Sequence, residues 1–169
     1  MKMVFDLDLE KCTACGACAV ACMDQNDIWP DKGDQPFRRV GMVNPLHPGD
    51  TEIGYISLGC MHCADAPCIA ACPVGCLFKN ELGLTVFDNT RCIGCHSCAM
   101  ACPFGAPTYT AEGKMRKCDG CAERQKAGLE PACVRACSFG ALKCRSEEED
   151  RKEHLNRSLR TIMQRSGDR

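Results

Sequence analysis

Sixteen of the chain's eighteen cysteines fall into four groups of four: Cys12, Cys15, Cys18 and Cys22; Cys60, Cys63, Cys68 and Cys72; Cys92, Cys95, Cys98 and Cys102; Cys118, Cys121, Cys133 and Cys137. Every group opens with C-x-x-C and closes with C-x-x-x-C, and two of them read C-x-x-C-x-x-C-x-x-x-C without deviation. Such spacing lets one loop wrap three thiolates around a cubane and send a fourth to another centre. Recurrence of the module four times points to duplication of a smaller two-centre unit.

Disulfides are the first rival to metal ligation. The segment from Met1 to Glu10 holds neither a secretory apolar stretch nor a twin-arginine pair, so the expected compartment is the cytoplasm, where dense cysteines are metal ligands. Export alongside a signal-bearing partner stays open. The aromatic complement is six Phe, two Tyr and one Trp in 169 residues. With so little to pack, the core is expected to be largely inorganic and the apoprotein poorly folded. No run approaches the roughly 20 apolar residues of a membrane span. A formal charge of -1 provides no basic field for nucleic acid.

Between the groups, Val4 to Asp8 alternates as a half-buried strand does, and Ala141 to Arg145 is its candidate antiparallel mate. Glu52 to Leu58 and Leu84 to Phe87 read as further short strands, and the loop-rich passage from Gln35 to Asp50 as a boundary. The insert from Ala122 to Ala132 reads as a helical turn or two and a surface loop. Ser146 and Glu149 have capping-box spacing and open a charged helix over residues 146–169. Leu155, Leu159, Ile162 and Met163 form one apolar stripe on it, read first as packing on the protein's own body and alternatively as docking another chain.

The stretches GCMHCADAPCIAACP (59–73), RCIGCHSCAMACPFGAPTY (91–109) and KCDGCAERQKAGLEPACVRACSFGAL (117–142) resemble the four-cluster ferredoxin-type (polyferredoxin) electron-transfer subunits of molybdenum and tungsten oxidoreductases. That family includes the iron-sulfur subunits of dimethyl sulfoxide reductase, formate dehydrogenase, formate hydrogenlyase and tungsten aldehyde oxidoreductase complexes. The resemblance covers about residues 3–145. It implies an α+β fold of nested bacterial-ferredoxin-like halves with short strands, each half holding two clusters. Residues 1–34 with 110–145 form the outer half, and residues 35–109 the inserted inner half.

The resemblance also implies nested pairing, first group with fourth and second with third, the last cysteine of each group crossing to its pair. The four [4Fe-4S] sets are then Cys12, Cys15, Cys18 and Cys137; Cys118, Cys121, Cys133 and Cys22; Cys60, Cys63, Cys68 and Cys102; and Cys92, Cys95, Cys98 and Cys72. Proline follows Cys72 and Cys102, whereas Met23 and Ser138 follow Cys22 and Cys137. The outer pair therefore departs from the usual C-P, which alters hydrogen bonding near a sulfur without removing the ligand. The implied partners are a molybdopterin or tungstopterin catalytic subunit and, at the far end, a flavoprotein, a hydrogenase or another cluster subunit. No catalytic constellation stands in the chain itself.

Other readings weigh less. Cys92, Cys95 and His96 match the haem attachment sequence C-x-x-C-H, but Cys98 and Cys102 continue the ferredoxin spacing, and His96 reads as a polar neighbour of a cluster. A zinc-binding interaction module is the next rival, above all at the fourth group, yet zinc ribbons do not need the C-x-x-C-x-x-C triplet. Self-association into a cluster-bearing filament through the C-terminal helix is a further alternative. Cys76 and Cys144 fall outside the pattern and read as packing residues. His62 reads as polar filler or a donor to sulfur. Asp24, Asp27, Asp31 and Asp34 read as a solvated loop.

Overall fold

In the computed structural model, residues 2–43 and 53–167 are described. The later part of the passage from Gln35 to Asp50, with Pro45, Pro48 and Gly49, lies outside them. Four two-stranded antiparallel ribbons alternate with the cysteine groups among the described residues. Strand β1 (Met3–Leu7) pairs with β8 (Leu142–Ser146) as the expected antiparallel mate, Phe5 opposite Cys144. The other ribbons are hairpins: β2 (Arg39–Val43) with β3 (Gly54–Leu58), β4 (Leu77–Lys79) with β5 (Thr85–Phe87), and β6 (Thr108–Tyr109) with β7 (Met115–Arg116).

Five short helices follow: α1 (Ala17–Gln25) carries Cys18 and Cys22, α2 (Pro67–Ala70) Cys68, α3 (Ser97–Ala101) Cys98 and α5 (Ala132–Arg135) Cys133, while α4 (Ala122–Lys126) begins just after Cys121. Cys72, Cys102 and Cys137 lie just past the ends of α2, α3 and α5. Helix α1 packs against α5, and α2 against α3. The first group is thereby brought to the fourth and the second to the third. Thiols supply much of the core: Cys68, Cys76, Cys92 and Cys98 are buried with Leu77 and Met115, and Cys18 and Cys133 with Phe5, Leu84 and Leu142.

The last described element is α6 (Glu147–Gly167). Its capping box forms: the Ser146 N–H donates to Glu149 Oε2 at 2.9 Å, and the Glu149 N–H donates to Ser146 Oγ at 3.2 Å. Three residues of the apolar stripe are not covered by the body: Leu155, Leu159 and Met163 are 59%, 48% and 72% exposed. Ion pairs at the start of the helix make its contacts instead. Arg145 meets Asp6 at 2.9 Å and Asp150 at 3.5 Å, and Arg157 meets Asp6 at 3.7 Å, tying α6 to β1 and β8. No helix among the described residues is long and apolar enough to cross a membrane.

Candidate iron-sulfur centres

The loop at the head of each group has one recurrent backbone feature. The residue before the second cysteine is left-handed in all four: Ala14 at φ 52, His62 at φ 47, Gly94 at φ 71 and Gly120 at φ 77. A left-handed residue in a tight turn makes successive backbone N–H groups converge, which favours an anion in the concavity. At two of these positions there is also no room for a side chain. A Cβ on Gly94 would lie 2.6 Å from the Gly113 carbonyl oxygen, and one on Gly120 would lie 2.8 Å from a Leu84 methyl.

Behind the loops, Cys18, Cys22, Cys68, Cys98 and Cys133 are buried on α1, α2, α3 and α5. Three closing cysteines accept a backbone N–H on sulfur: Cys72 from Cys76 at 3.3 Å, Cys102 from Ala106 at 3.4 Å and Cys137 from Leu142 at 3.4 Å. Cys22 differs. With no proline after it, α1 runs on to Gln25, and the Asn26 side-chain amide reaches Cys22 Sγ at 3.6 Å while donating to its carbonyl at 2.8 Å. The two departures from C-P are thus unequal: Cys137 keeps a backbone donor, and Cys22 takes one from a side chain.

The structure gathers thiols across groups. One recess is lined by Cys12, Cys15, Cys18 and Cys137, with Leu7, Val40 and Ser57 among its walls. A second is lined by Cys92, Cys95, Cys98 and Cys72, together with Cys76, His96 and Tyr109. Elsewhere Cys22 stands beside Cys133 and Cys121, and Cys68 beside Cys60 and Cys102. Cys118 neighbours both Cys60 and Cys22. Cys63 belongs to the same loop as Cys60, its carbonyl held by Lys79.

Burial pushes the Cys22 thiol up to about 12, and the adjacent Cys133 and Cys121 push it the same way. Cys118, Cys121, Cys133 and Cys68 are also raised, burial being the main cause in each. Burial opposes ionisation at Cys72 too, but hydrogen bonds from Cys76, Val74 and Leu77 outweigh it and lower that thiol. Crowded buried thiols ionise when a metal supplies the positive charge. Soft sulfur donors, converging N–H groups and nearby buried or half-buried cations fit an iron-sulfur group.

Those cations were not legible in the sequence. Arg38 is buried and donates to the Ser57 carbonyl and hydroxyl at 3.1 Å each, with Cys18 Sγ 3.2 Å from the same hydroxyl. Lys117, 1% exposed, donates to the Cys118 carbonyl at 2.7 Å and to the Thr85 carbonyl. Lys79 donates to the His62 carbonyl at 3.0 Å. Among the described residues none of the three meets a carboxylate in an ion pair. They come from three separate stretches of chain and have no spacing signature; only the fold reveals that they converge.

The remaining candidates also have places. His96 begins α3 at φ 64 and stacks on Tyr109 with ring centroids 3.7 Å apart. Cys76 is buried, and its Sγ lies 3.4 Å from that of Cys72, so it packs within the second recess. Cys144 lies on β8 and reaches Gln125 at 3.8 Å. At the fourth group, Cys137 joins Cys12, Cys15 and Cys18, while Cys22 stands beside Cys121 and Cys133. A self-contained four-thiol zinc ribbon makes no such exchange.

Comparison with known proteins agrees. The chain matches the 4Fe-4S dicluster domain family over residues 51–147. It is 40% identical over 159 residues to the probable anaerobic dimethyl sulfoxide reductase subunit YnfG of Escherichia coli K12, covering 89% of this chain and 76% of that protein. Identity to the corresponding anaerobic dimethyl sulfoxide reductase subunit of Haemophilus influenzae is 41% over 148 residues, covering 82% and 71%. The thiosulfate reductase electron transfer subunit PhsB of Salmonella typhi is 36% identical over 138 residues, covering 80% and 71%. The repeated cysteine groups, the thiol-lined recesses and these relatives together make this protein a member of the 4Fe-4S dicluster family, a ferredoxin-like electron-transfer subunit of oxidoreductase complexes and not a catalytic one.

Proposed function

We propose that the sixteen grouped cysteines bind four [4Fe-4S] clusters in nested order and that the protein carries electrons between a catalytic subunit holding a molybdenum or tungsten cofactor and a second redox partner. The ligand sets are Cys12, Cys15, Cys18 and Cys137; Cys118, Cys121, Cys133 and Cys22; Cys60, Cys63, Cys68 and Cys102; and Cys92, Cys95, Cys98 and Cys72. Residues 1–34 with 110–145 make one ferredoxin-like half and residues 35–109 the other. Such clusters supply one-electron chemistry with no bond to the protein made or broken. The protein's own part is to hold the thiolates, keep water away and offer N–H groups and cations to the added charge.

The observation that carries this reading is the exchange of closing cysteines: Cys137 lies in the recess of the first group and Cys72 in that of the third. Two further facts support an order for the wire. Cys15 and Cys95 are the two exposed thiols, one in each recess, and Cys118 neighbours Cys60. In this reading the first and third groups face partners, and the other two sets adjoin in the middle. Relatives named as reductase subunits support a molybdenum-type catalytic partner at one end. A flavoprotein, a hydrogenase or another cluster subunit serves the other.

The crossing is tested by paramagnetic resonance on reduced single variants. Cys72→Ala and Cys92→Ala should lose the same cluster signal, and Cys68→Ala a different one. Loss of one signal by Cys72→Ala and Cys68→Ala together contradicts the nested assignment. A second reading, association of copies through α6, is favoured by exposed Leu155, Leu159 and Met163. Sedimentation tests it: a concentration-independent monomer mass, or a size that does not change beyond the lost residues when α6 is removed, contradicts it.

A further inference from the structure

His62 belongs to the loop of one cysteine group, but its ring reaches a sulfur of another. The side chain is 6% exposed, and its Nδ1 accepts the Thr85 N–H at 3.0 Å. An imidazole nitrogen that accepts an N–H bears no proton, so the ring hydrogen sits on Nε2. That nitrogen is 3.6 Å from Cys118 Sγ, within range of an N–H···S hydrogen bond.

The ring is held firmly in this pose. Phe5 stacks on it with centroids 5.4 Å apart at 25°. Lys79 bridges the His62 carbonyl and the Thr85 hydroxyl at 3.0 Å each, and Lys117 bridges the Thr85 and Cys118 carbonyls. Gly120 lies close enough that an added Cβ would come within 3.4 Å of the ring. The loops of the second and fourth groups are thus joined through β5, with His62 pointing from one to the other.

We propose that His62 is a positioning residue for electron transfer between the two middle clusters: from the loop of Cys60 and Cys63 it donates Nε2–H to the Cys118 sulfur and stabilises the reduced state of the cluster bound there. The inference rests on the ligand sets proposed above. One electron gained at that centre is one lost by the adjoining reduced [4Fe-4S] centre, and no proton moves, because Nε2 keeps its hydrogen and Nδ1 is occupied by Thr85. The added charge spreads onto the thiolates, so a donor to Cys118 favours the reduced form and raises the potential. The sequence reading of His62 as filler or donor leaves open which sulfur it serves, and the fold directs it to the other half of the molecule.

The test is a potentiometric titration of anaerobic holoprotein followed by paramagnetic resonance. His62→Asn tolerates the left-handed backbone but is too short to reach the sulfur; His62→Gln keeps an amide donor of similar reach. In His62→Asn one of the four midpoints should fall until that cluster is about tenfold less reduced at its original midpoint, a shift of ~59 mV. The other three should stay, and His62→Gln should recover at least half. Iron-replete His62→Asn with four unmoved midpoints, or with all four moved alike, overturns the proposal while leaving the ligand assignment intact. Fewer than four cluster signals in the unaltered protein strikes the assignment itself. If His62→Asn does not assemble, ¹⁵N-histidine labelling in a His96→Asn background decides. Nitrogen coupling to one reduced cluster supports the hydrogen bond, and its absence from all of them overturns it.

Discussion

Gly94 and Gly120 hold loops that no side chain fits. Each combines a left-handed φ with a close neighbour, the Gly113 carbonyl or the Leu84 methyls. Gly94→Ala should cost more than about 1 kcal/mol and lower both the melting temperature and the iron retained, and a wild-type melting curve would contradict this. Among the thiols, Cys68→Ala should remove about four of about sixteen irons, whereas Cys76→Ala should leave iron unchanged and only loosen packing. Equal iron loss in both variants defeats the distinction between them. The grouped cysteines were legible because ligand spacing is local. Arg38, Lys79 and Lys117 among the thiols were not, because tertiary packing brings them together; Asn26, four residues past Cys22 at the end of α1, was within local reach but belongs to no ligand motif.

At the scale of elements, alternation at Val4 to Asp8 and the serine-to-glutamate spacing at Ser146 were sufficient to expect the terminal ribbon and the start of α6. The β6–β7 hairpin escaped notice because two residues per strand leave no period to read. The stripe on α6 shows a different limit. Periodicity establishes that a helix has an apolar face, but what covers the face depends on where the helix leaves the body, and here ion pairs from Asp6, Arg145 and Asp150 fix that exit. Ser146→Ala should destabilise the first turn by about 1 kcal/mol. Faster amide exchange confined to the start of α6, with iron content unchanged, is the expected outcome; unaltered exchange argues against the capping box.

As a whole, the molecule has a thin organic core. Its buried clusters mix cysteines with a few residues such as Phe5, Leu77, Leu84 and Met115, and its ribbons are at most five residues long. Isolated two-stranded ribbons are marginal in water, so the clusters should hold the halves together. Removing iron with a chelator should therefore collapse ribbons and short helices in one transition while α6 retains part of its helicity. An apoprotein that melts like the holoprotein contradicts that account. The most direct test of the electron-wire reading is iron and acid-labile sulfide per polypeptide in anaerobically purified protein, with zinc counted in the same sample. Four cubanes predict about sixteen of each; stoichiometric zinc with little sulfide would contradict the wire and leave a zinc-stapled interaction domain.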